Sequence, residues 1–491
     1  MASYLSPGVY VEEVPPLSRP IAGVGTSTPA FIGILPNTIN LPARPAEGDA
    51  DTIKTQGYKY VSYSIPAEAK KAYRITSWGQ YVKLFGDFIG GNTVLSKKII
   101  VEGTEAAAKT FVTGVADPHL KVTARWATSS SSGVADVTGA YKIEITAGTT
   151  VVTVTTAISG DSLAIDNGQR RLAHAVYGFF NNGGSSCYVV RVTSASDLGS
   201  ALAVLAAIDE IAMIAAPGLT GVTQYGDLIA HCENLKDRVA ILDSVESDTD
   251  FGNGTFSKLE SVATSATVGR PQNSTYAAFY FPWLQVFDPG SSLIASTETP
   301  KGDGLVFVPP SGHIAGIYAR TDATRGVFKA PANEALLGVT GLKYLLSKAD
   351  QDSLNDNGVN VIRPLVGAIR VWGARTVGGD DNGEYKYISS RRYFNYLRES
   401  IDEGTQFVVF EPNTPALWER IKRTVGGFLL NEWRAGALFG TKPEQAFFVK
   451  CDADTNPADV REAGQVVTEI GVAIVKPAEF VIFRIQQTTG G

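Results

Sequence analysis

The stretch RRLAHAVYGFFNNGG (Arg170–Gly184), followed closely by CYVVRV (Cys187–Val192), decides the fold class of this chain. The first segment predicts a helix that closes on a glycine-bearing turn. The second is a short apolar run, which is typical of a strand buried on both faces. A helix followed directly by a buried strand is the repeating unit of an α/β layer.

The same alternation continues on the C-terminal side of this stretch. The predicted elements are a helix over 198–207, a strand over 211–216, a helix over 226–235, and strands over 238–242 and 276–281. This order predicts an α/β layer with a largely parallel sheet. Upstream, Trp78, Tyr81 and Phe85 lie close to one face of a predicted helix over 78–88.

Residues 99–159 have a different pattern. Segments such as LKVTARWAT (Leu120–Thr128) and YKIEITAG (Tyr141–Gly148) alternate apolar and polar residues, and a turn run SSSSG (Ser129–Gly133) separates them. Alternation of period two is typical of strands with one solvated face. The segment therefore predicts a small all-β insertion, and its Thr-rich strands carry no identifiable chemistry.

The last third of the chain again mixes strands and helices. The predicted elements are strands over 358–365 and 369–372, a helix over 391–402 ended by Gly404, a strand over 405–410, a helix beginning at Pro415, a helix from 456 to about 471, and a strand over 472–475. In the helix that begins at Pro415, Leu417, Ile421, Val425 and Phe428 recur at helical spacing and predict one buried face. The outward positions are then Glu419, Arg420, Lys422 and Arg423.

Both ends of the chain carry a short β-type run bounded by proline, SPGVYVEEVP (Ser6–Pro15) and AEFVIFRI (Ala478–Ile485). A terminal strand separated by prolines can add to a sheet edge on another subunit, or it can complete the chain's own sheet. Gly8, Gly23 and Gly25 would allow a hinge near the first arm. The predicted arm residues are Val9, Tyr10, Val11, Glu12, Glu13, Val14, Phe480, Val481, Ile482, Phe483, Arg484 and Ile485.

Composition restricts the class of protein. The 491 residues suffice for two to four domains, and 44% of them are hydrophobic, which is typical of a globular chain. A formal net charge of −6 argues against general nucleic-acid binding. The apolar run 208–219 contains two acidic residues and is too short to span a bilayer, so we expect no membrane insertion. The N-terminus lacks a signal-peptide pattern, which favours synthesis in the cytoplasm.

Candidate catalytic and metal-binding residues are few and scattered. The three cysteines lie far apart in apolar runs, which favours buried free thiols over a disulfide framework or a metal site. The four histidines, His119, His174, His231 and His313, have no metal-ligand spacing, and neither a P-loop nor a nucleophile elbow occurs. We therefore expect neither a metal nor a cofactor.

Two acidic loops, SDTDFGNG and GGDDNGE (Gly378–Glu384), are the remaining candidate ligand sites. Asp248, Asp250 and Asn253 in the first are compatible with a calcium loop, but the spaced glutamate of an EF-hand is missing. The sequence favours a solvated turn in both places.

Long ordered motifs support a family resemblance. The succession NVIRP, WGARTV, ISSRRYFNYLRESI, FVVFEPNTPALWERI and FLLNEWRAGALFG resembles the C-terminal region of contractile tail sheath proteins. PGVYVEEVP, GVGTSTPAFIG, VYGFFNNGGSSCYVVRV, YAAFYFPWLQVFDP and residues 308–333 resemble earlier parts of that family. The likeness covers most of the chain except the β insertion. It is closest to sheaths of phage-tail-like contractile injection particles, with contractile phage tails second.

The resemblance implies a multidomain protein of mixed α/β and α+β class. Its expected parts are an N-terminal β-arm and hinge (1–22), a central α/β domain (23–98 and 160–355), a β-rich outer insertion (99–159), a C-terminal polymerisation domain (356–476) and a C-terminal β-arm (477–491). The two arms would be exchanged between the C-terminal domains of neighbouring subunits.

The resemblance also implies a mechanical role. Such subunits form a helical homopolymer around an inner tube, on a baseplate and with terminator or cap proteins, and contract from a metastable extended state to drive the tube through a target envelope. We expect assembly in the bacterial cytoplasm within a particle that is released, membrane-anchored or part of a phage virion. The charged face at 419–423 would contact the tube or a neighbouring subunit, with a plain solvated surface as the alternative. An enzyme with an α/β core is the rival class, but the chain lacks an acid/base or nucleophile constellation.

Overall fold

The computed structural model covers the 491-residue chain and describes residues 20–42, 60–89, 96–102, 122–126, 132–138, 142–147, 150–155, 167–292, 304–365, 367–480 and 482. The chain divides into two compact units. The larger unit is Thr26–Arg391, and the smaller unit combines Met1–Gly25 with Arg392–Gly491.

The described strands of the larger unit lie, in chain order, at β1 (Pro29–Ile34), β2 (Thr38–Pro42), β3 (Tyr60–Ser64), β4 (Ala72–Ile75), β5 (Ser96–Glu102), β6 (Val122–Trp126), β7 (Ser132–Thr138), β8 (Lys142–Ala147), β9 (Thr150–Thr155), β10 (Cys187–Val192), β11 (Met213–Ala215), β12 (Val239–Asp243), β13 (Ala277–Phe281), β14 (Leu284–Phe287), β15 (Leu305–Val308), β16 (Val339–Leu342), β17 (Val359–Leu365) and β18 (Ala368–Val371). Those of the smaller unit are β19 (Phe447–Lys450) and β20 (Glu469–Val472).

The helices that begin in the larger unit are α1 (Trp78–Phe85), α2 (Asn167–Asn181), α3 (Leu198–Leu205), α4 (Val222–Leu235), α5 (Thr249–Gly252), α6 (Pro289–Ser292), α7 (Ser311–Arg325), α8 (Lys348–Asp356) and α9 (Ile388–Thr405). Helices α10 (Pro415–Arg434), α11 (Pro443–Ala446) and α12 (Ala458–Glu462) follow in the smaller unit. Short 3-10 turns occupy Ala195–Asp197, Ser257–Glu260, Gly379–Tyr385 and Gln406–Val408.

An eight-stranded sheet organises the larger unit, with the order β18-β17-β13-β12-β11-β1-β10-β4. The six strands from β17 to β10 run parallel, and β18 and β4 pair antiparallel at the two edges. Strands such as CYVVRV and VAILD are almost wholly buried, because helices cover both faces of a parallel sheet. The predicted, largely parallel α/β layer is confirmed.

Two hydrophobic cores lie on opposite faces of this sheet. Successive residues of a strand point to opposite faces, and Phe31 and Ile32 of β1 accordingly belong to different cores. On the first face α2 packs on α7 at close range. A Cβ on Gly312 would lie 2.6 Å from the carbonyl carbon of Ala175, and one on Gly316 would lie 2.6 Å from the Phe179 carbonyl oxygen. Glycine at both positions is therefore required by the close approach of the two helices.

The β-rich insertion also forms as predicted from its alternation. Strands β5, β7 and β6 make an antiparallel sheet in that order, and β8 and β9 form a separate antiparallel pair. The first strand begins at Ser96, three positions before the predicted start of the insertion.

The C-terminal third departs from its predicted elements in two places. The predicted strand over 405–410 is wrong: α9 runs through Gly404 to Thr405 and is followed by the 3-10 turn. The predicted helix from 456 to about 471 is wrong in extent, because α12 ends at Glu462 and Gly464 then adopts a positive φ of 72°. Strands β17 and β18 join the large sheet, so the larger unit extends past residue 356 to Arg391.

Candidate subunit interface

The smaller unit is organised by α10, whose start follows the sequence signals. Pro415 occupies the first helical position after Thr414, where its missing N–H costs nothing. The predicted stripe of Leu417, Ile421, Val425 and Phe428 is buried, so the assignment of the buried face is confirmed.

The opposite side of α10 carries the four charged residues predicted at 419–423. Glu419 and Arg423 are exposed, and Arg420 and Lys422 are half-buried. Lys422 Nζ lies 2.5 Å from Glu419 Oε1, and this hydrogen bond raises the pKa of Lys422. The guanidinium of Arg420 lies 4.3 Å from the centre of the Phe407 ring. Arg423 is thus the most exposed of the three cationic side chains on this face.

The β19–β20 sheet presents an open main-chain edge. Ala473 N–H donates to the Ala446 carbonyl (2.8 Å), and the Ala473 carbonyl accepts from Phe439 N–H (2.7 Å). Both groups of Ala473 therefore point inward. Because main-chain groups alternate along a strand, those of Ile470, Val472 and Ile474 point to the other edge. Among the described residues, no strand pairs with that edge.

Large apolar side chains are exposed around this small sheet and beside α10. Phe448 of β19 is 58% exposed, Phe439 is 73% exposed, and Phe410 in the loop before α10 is fully exposed. Phe410 also adopts a positive φ of 65°, which is unfavourable for a residue with a side chain. Two-stranded sheets are marginal alone, and exposed apolar clusters are typical of interaction sites. This arrangement is suited to accept a further strand.

The predicted arm residues are described only in part. Phe480 and Ile482 are 70% and 80% exposed and lie in no strand or helix. The remaining predicted arm residues lie outside the described residues, as does Gly8: Val9, Tyr10, Val11, Glu12, Glu13, Val14, Val481, Phe483, Arg484 and Ile485.

The other two predicted hinge glycines have different surroundings. A Cβ on Gly23 would overlap the Tyr396 hydroxyl and lie 2.8 Å from its ring Cζ. A Cβ on Gly25 would meet nothing within 4 Å.

Sequence reasoning missed Phe410, Phe439 and Phe448 as exposed residues. An apolar side chain in a short run is compatible with either a core or an interface, so Phe439 and Phe448 had no distinguishing signal. Phe410 did have one, because Pro412 and Asn413 follow it and are typical of a loop.

The carboxylates of the two acidic loops pair with basic side chains. Lys258 Nζ lies 2.8 Å from Asp248 Oδ1 and 2.9 Å from Asp250 Oδ2, so an ammonium sits where a cation would bind. In the second loop Asp380 Oδ1 pairs with Lys386 Nζ (2.5 Å) and Arg375 (3.1 Å). The solvated turn predicted for Asp248, Asp250 and Asn253 is compatible with this ion pairing.

The cysteines and histidines of the described part are structural in character. Cys187, Cys232 and Cys451 are buried free thiols, as predicted, and burial raises the pKa of Cys187 and Cys232, which makes them poor nucleophiles. Burial lowers the pKa of His231 to about 4. Within the described ranges, no cluster of three or more His, Cys, Asp or Glu is placed to hold a metal ion, and no helix is long and apolar enough to cross a membrane.

Comparison with known proteins gives consistent matches over most of the chain. Residues 193–377 match the phage tail sheath protein central domain, and residues 380–488 match the phage tail sheath C-terminal domain. The chain is 24% identical to the tail sheath protein of Burkholderia phage BcepMu over 250 residues, covering 49% of each protein. It is 26% identical to that of Vibrio phage KVP40 over 186 residues, covering 37% of this chain and 27% of the relative. The chain thus spans less than half of the length of these curated relatives.

Solved structures match over nearly the whole chain. A chain of the anti-feeding prophage baseplate superposes with a TM-score of 0.60 at 26% identity, covering 99% of this chain and 100% of the other. The helical sheath of the anti-feeding prophage in its contracted state gives a TM-score of 0.60 at 25% identity, covering 98% and 99%. Together the two family domains cover more than half of the chain, including strands β11, β12, β13, β17 and β18 of the large sheet and most of the smaller unit, and the chain belongs to the phage tail sheath family.

Proposed function

We propose that this protein is the structural subunit of a contractile sheath, which polymerises helically around an inner tube and contracts from a metastable extended state to drive the tube through a target envelope. The observation that carries the proposal is the open β20 edge in the smaller unit, in a chain whose two ends are proline-bounded apolar runs. The likeness to the contracted helical sheath of the anti-feeding prophage supports it.

Strand addition at β20 would link the subunits. The outward main-chain groups of Ile470, Val472 and Ile474 can pair with a terminal arm of a neighbouring copy. Each net hydrogen bond contributes about 1 kcal/mol, so an arm of several residues contributes several kcal/mol before apolar burial is counted. Phe448 on the neighbouring strand β19 and Phe439 are exposed on the same small sheet and would add that burial. A contact that joins different surfaces of successive copies generates an open helical polymer.

The same linkage suits a machine that changes length. Main-chain hydrogen bonds between an arm and β20 depend on the arm and its acceptor strand, so they can persist while whole domains rotate. The larger unit has two closed cores and can move as a rigid body. In a sheath whose extended state is metastable, contraction requires no bound nucleotide, and we propose a non-enzymatic role without a cofactor.

The charged face of α10 is the proposed contact with the inner tube or with a neighbouring sheath subunit. Glu419, Arg420, Lys422 and Arg423 lie on one outward surface, and exposed ion pairs are individually weak and screened by salt. Weak contacts can hold a tube in the extended state and release it on contraction. A merely solvated helix surface is the alternative.

The relatives support a proposal for the setting of the particle. Near-complete coverage by a chain of the anti-feeding prophage favours a phage-tail-like injection particle that assembles in the bacterial cytoplasm on a baseplate, with terminator or cap proteins. A bacteriophage tail sheath is the second candidate, favoured by the phage proteins among the relatives. In either setting we propose that residues 99–159 form an outer insertion, and that 1–22, 356–476 and 477–491 make the polymerising parts around a central domain of 23–98 and 160–355.

Deleting Met1–Pro16 tests the proposal. The chain and the deletion variant would be expressed alone and with the candidate tube protein, then compared by negative-stain electron microscopy and circular dichroism. We expect wide hollow tubes from the full chain, narrower filled tubes with the tube protein, and folded soluble subunits from the variant. Tubes formed by the deletion variant would contradict arm exchange, and monodisperse particles of the full chain in both samples would contradict the sheath.

A further inference from the structure

The residues just after the N-terminal arm are held against a helix of their own unit. Ile21 is buried, and its side chain fills the space left by Gly404 of α9: a Cβ at position 404 would lie 2.5 Å from Ile21 Cγ1. One turn earlier on the same face of α9, Ser400 Oγ accepts a hydrogen bond from Val24 N–H at 3.1 Å. These contacts lie within the smaller unit.

Tyr396, a further turn back, completes the surface that receives this segment. Its ring leaves no room for a side chain at residue 23. Tyr396 cannot easily yield, because its hydroxyl donates to Glu432 Oε1 (3.0 Å) and Tyr393 donates to the other oxygen of the same carboxylate (3.1 Å). Burial raises the pKa of Tyr396 and Tyr393, so both phenols remain protonated donors.

Positions 396, 400 and 404 are four residues apart and therefore share one face of α9. The segment Ile21–Val24, named here the anchor segment, thus contacts three successive turns of one helix. Residue 23 must be glycine because the Tyr396 ring occupies the space of a side chain, whereas Gly25 faces open space. Conformational freedom from glycine is useful for a hinge only where the surroundings leave the backbone free to move.

We infer that the anchor segment fixes the base of the N-terminal arm to α9, so that the arm bends on the N-terminal side of Ile21 and not at Gly23. The inference deepens the proposed function, since it rests on residues preceding Ile21 acting as an exchanged arm. Tension in the arm then passes into α9 through Ile21, and from α9 to α10 through the two tyrosines and Glu432. Gly25 is left as the open glycine after the anchor.

A matched pair of alanine variants tests the anchor by hydrogen exchange. Gly23→Ala and Gly25→Ala add the same methyl group two residues apart, and neither glycine adopts a positive φ. We expect about tenfold faster hydrogen exchange at the Val24 amide in Gly23→Ala, because the segment must leave Tyr396, and wild-type exchange in Gly25→Ala. Equal exchange in all three proteins would overturn the inference. This readout needs no polymer, so it is independent of the sheath proposal.

A disulfide between positions 21 and 404 tests the location of the bend. The Cβ of Ile21 and a Cβ at residue 404 would be 3.0 Å apart, so a backbone shift of about 0.5 Å brings the pair into the range of about 3.5–4.5 Å found in disulfides. Sheaths of Ile21→Cys with Gly404→Cys would be oxidised, triggered with a low concentration of urea, and measured by electron microscopy. We expect oxidised and reduced sheaths to contract to the wild-type length. Oxidised sheaths that stay extended and contract on reduction would place the bend within the anchor segment and overturn the inference.

The two tests separate the anchor from the sheath itself. If the wild-type chain forms no tubes, the proposed function is contradicted, while the exchange of the Val24 amide still decides the anchor. If the wild type forms tubes but the reduced cysteine pair does not, the contact at 21 and 404 is needed for assembly, and Ser400→Ala provides a milder variant. That variant is expected to accelerate Val24 exchange and still assemble. Unchanged exchange in Ser400→Ala would contradict the anchor.

Discussion

The larger and smaller units bury their sheets in opposite ways. The larger unit places strands such as β12 and β13, whose five residues are all buried, in the middle of a sheet with a core on each face. The smaller unit has a two-stranded sheet with one edge that no other described residue pairs with, and exposed phenylalanines on and around the sheet. A sheet closed by its own helices is complete within one chain, whereas an open edge beside apolar side chains favours a partner.

Buried polar groups show the same difference. In the larger unit Asp243 is buried at the end of β12, where its carboxylate accepts from Ser311 N–H (2.7 Å), Ser311 Oγ–H (2.7 Å) and Gly218 N–H (3.0 Å). It thereby ties the sheet to the start of α7. In the smaller unit the outward groups of β20 have no described partner. Changes in the larger unit should therefore affect stability, and changes at the β20 edge should affect assembly.

The largest expected effect is on assembly, from Val472→Pro. Proline removes a main-chain N–H that points to the open edge, so the subunit loses no internal hydrogen bond, while an added strand loses one and meets the proline ring. We expect no tubes by electron microscopy and a melting temperature close to that of the wild type. Gly471→Pro is the matched control. Residue 471 pairs with Phe448 within the sheet, so the loss of this pairing should lower the melting temperature. Normal tubes from Val472→Pro would contradict the proposal that β20 accepts the arm of a neighbouring subunit.

The second effect is on the stability of the larger unit, from Asp243→Ala. The substitution leaves buried donors of Ser311 and Gly218 without an acceptor, which costs about 2–4 kcal/mol in the free energy of unfolding. Urea denaturation would measure the change. Ser400→Ala in the smaller unit removes a buried hydroxyl that accepts a hydrogen bond from Val24 N–H, and it should cost less. A loss below about 1 kcal/mol for Asp243→Ala would contradict the role of the carboxylate as a tie between sheet and helix.

The third effect is on pH dependence, through His313. Burial lowers the pKa of His313 to about 3, below its unfolded value near 6.5. The unfolded chain therefore takes up a proton first, so stability is retained above about pH 6.5 and falls as the pH is lowered toward 3. Between pH 7 and pH 5 this histidine should cost about 2 kcal/mol.

Comparing wild type with His313→Leu isolates this contribution. The difference in unfolding free energy between pH 7 and pH 5 should be smaller in the variant. Asp243 acts in the opposite direction, since burial raises its pKa to about 6 and the folded state then gains a proton before the unfolded state as the pH falls. An identical pH dependence in wild type and His313→Leu would show that the histidine is not held neutral.

The smallest expected effect comes from reversing charge on α10 with Lys422→Glu and Arg423→Glu. Exposed charges contribute little individually, and more at low salt. We expect reduced tube-dependent assembly at low ionic strength and little change in sheath formed without the tube. The larger unit offers Lys71→Glu, at an exposed position, as a control with the same charge change as either single reversal. Unchanged tube-dependent assembly would favour the solvated-surface alternative.

Sequence reasoning recovered the larger unit better than the smaller one. Runs such as CYVVRV and AAFYF are apolar throughout, and a continuous apolar run flanked by helical segments has few alternatives to a buried parallel strand. The buried stripe of α10 was equally readable from its 3.6-residue spacing. By contrast, the run TQFVVF predicts a strand, yet its first residue ends α9, a 3-10 turn follows, and Phe410 is exposed. The run is apolar in either role, so its pattern did not separate core from surface.

The sequence by itself determined the α/β layer, the β insertion, the buried thiols and the resemblance to sheath proteins, because periodicity, glycine and proline signals and long ordered motifs are local properties of the chain. Only the tertiary structure decided that one edge of β20 is unpaired within the described ranges, that Lys258 occupies the acidic loop at Asp248, and that Gly23 packs on Tyr396. Each of these depends on which distant residues meet in space, with separations of up to several hundred positions, and local patterns carry no record of such contacts.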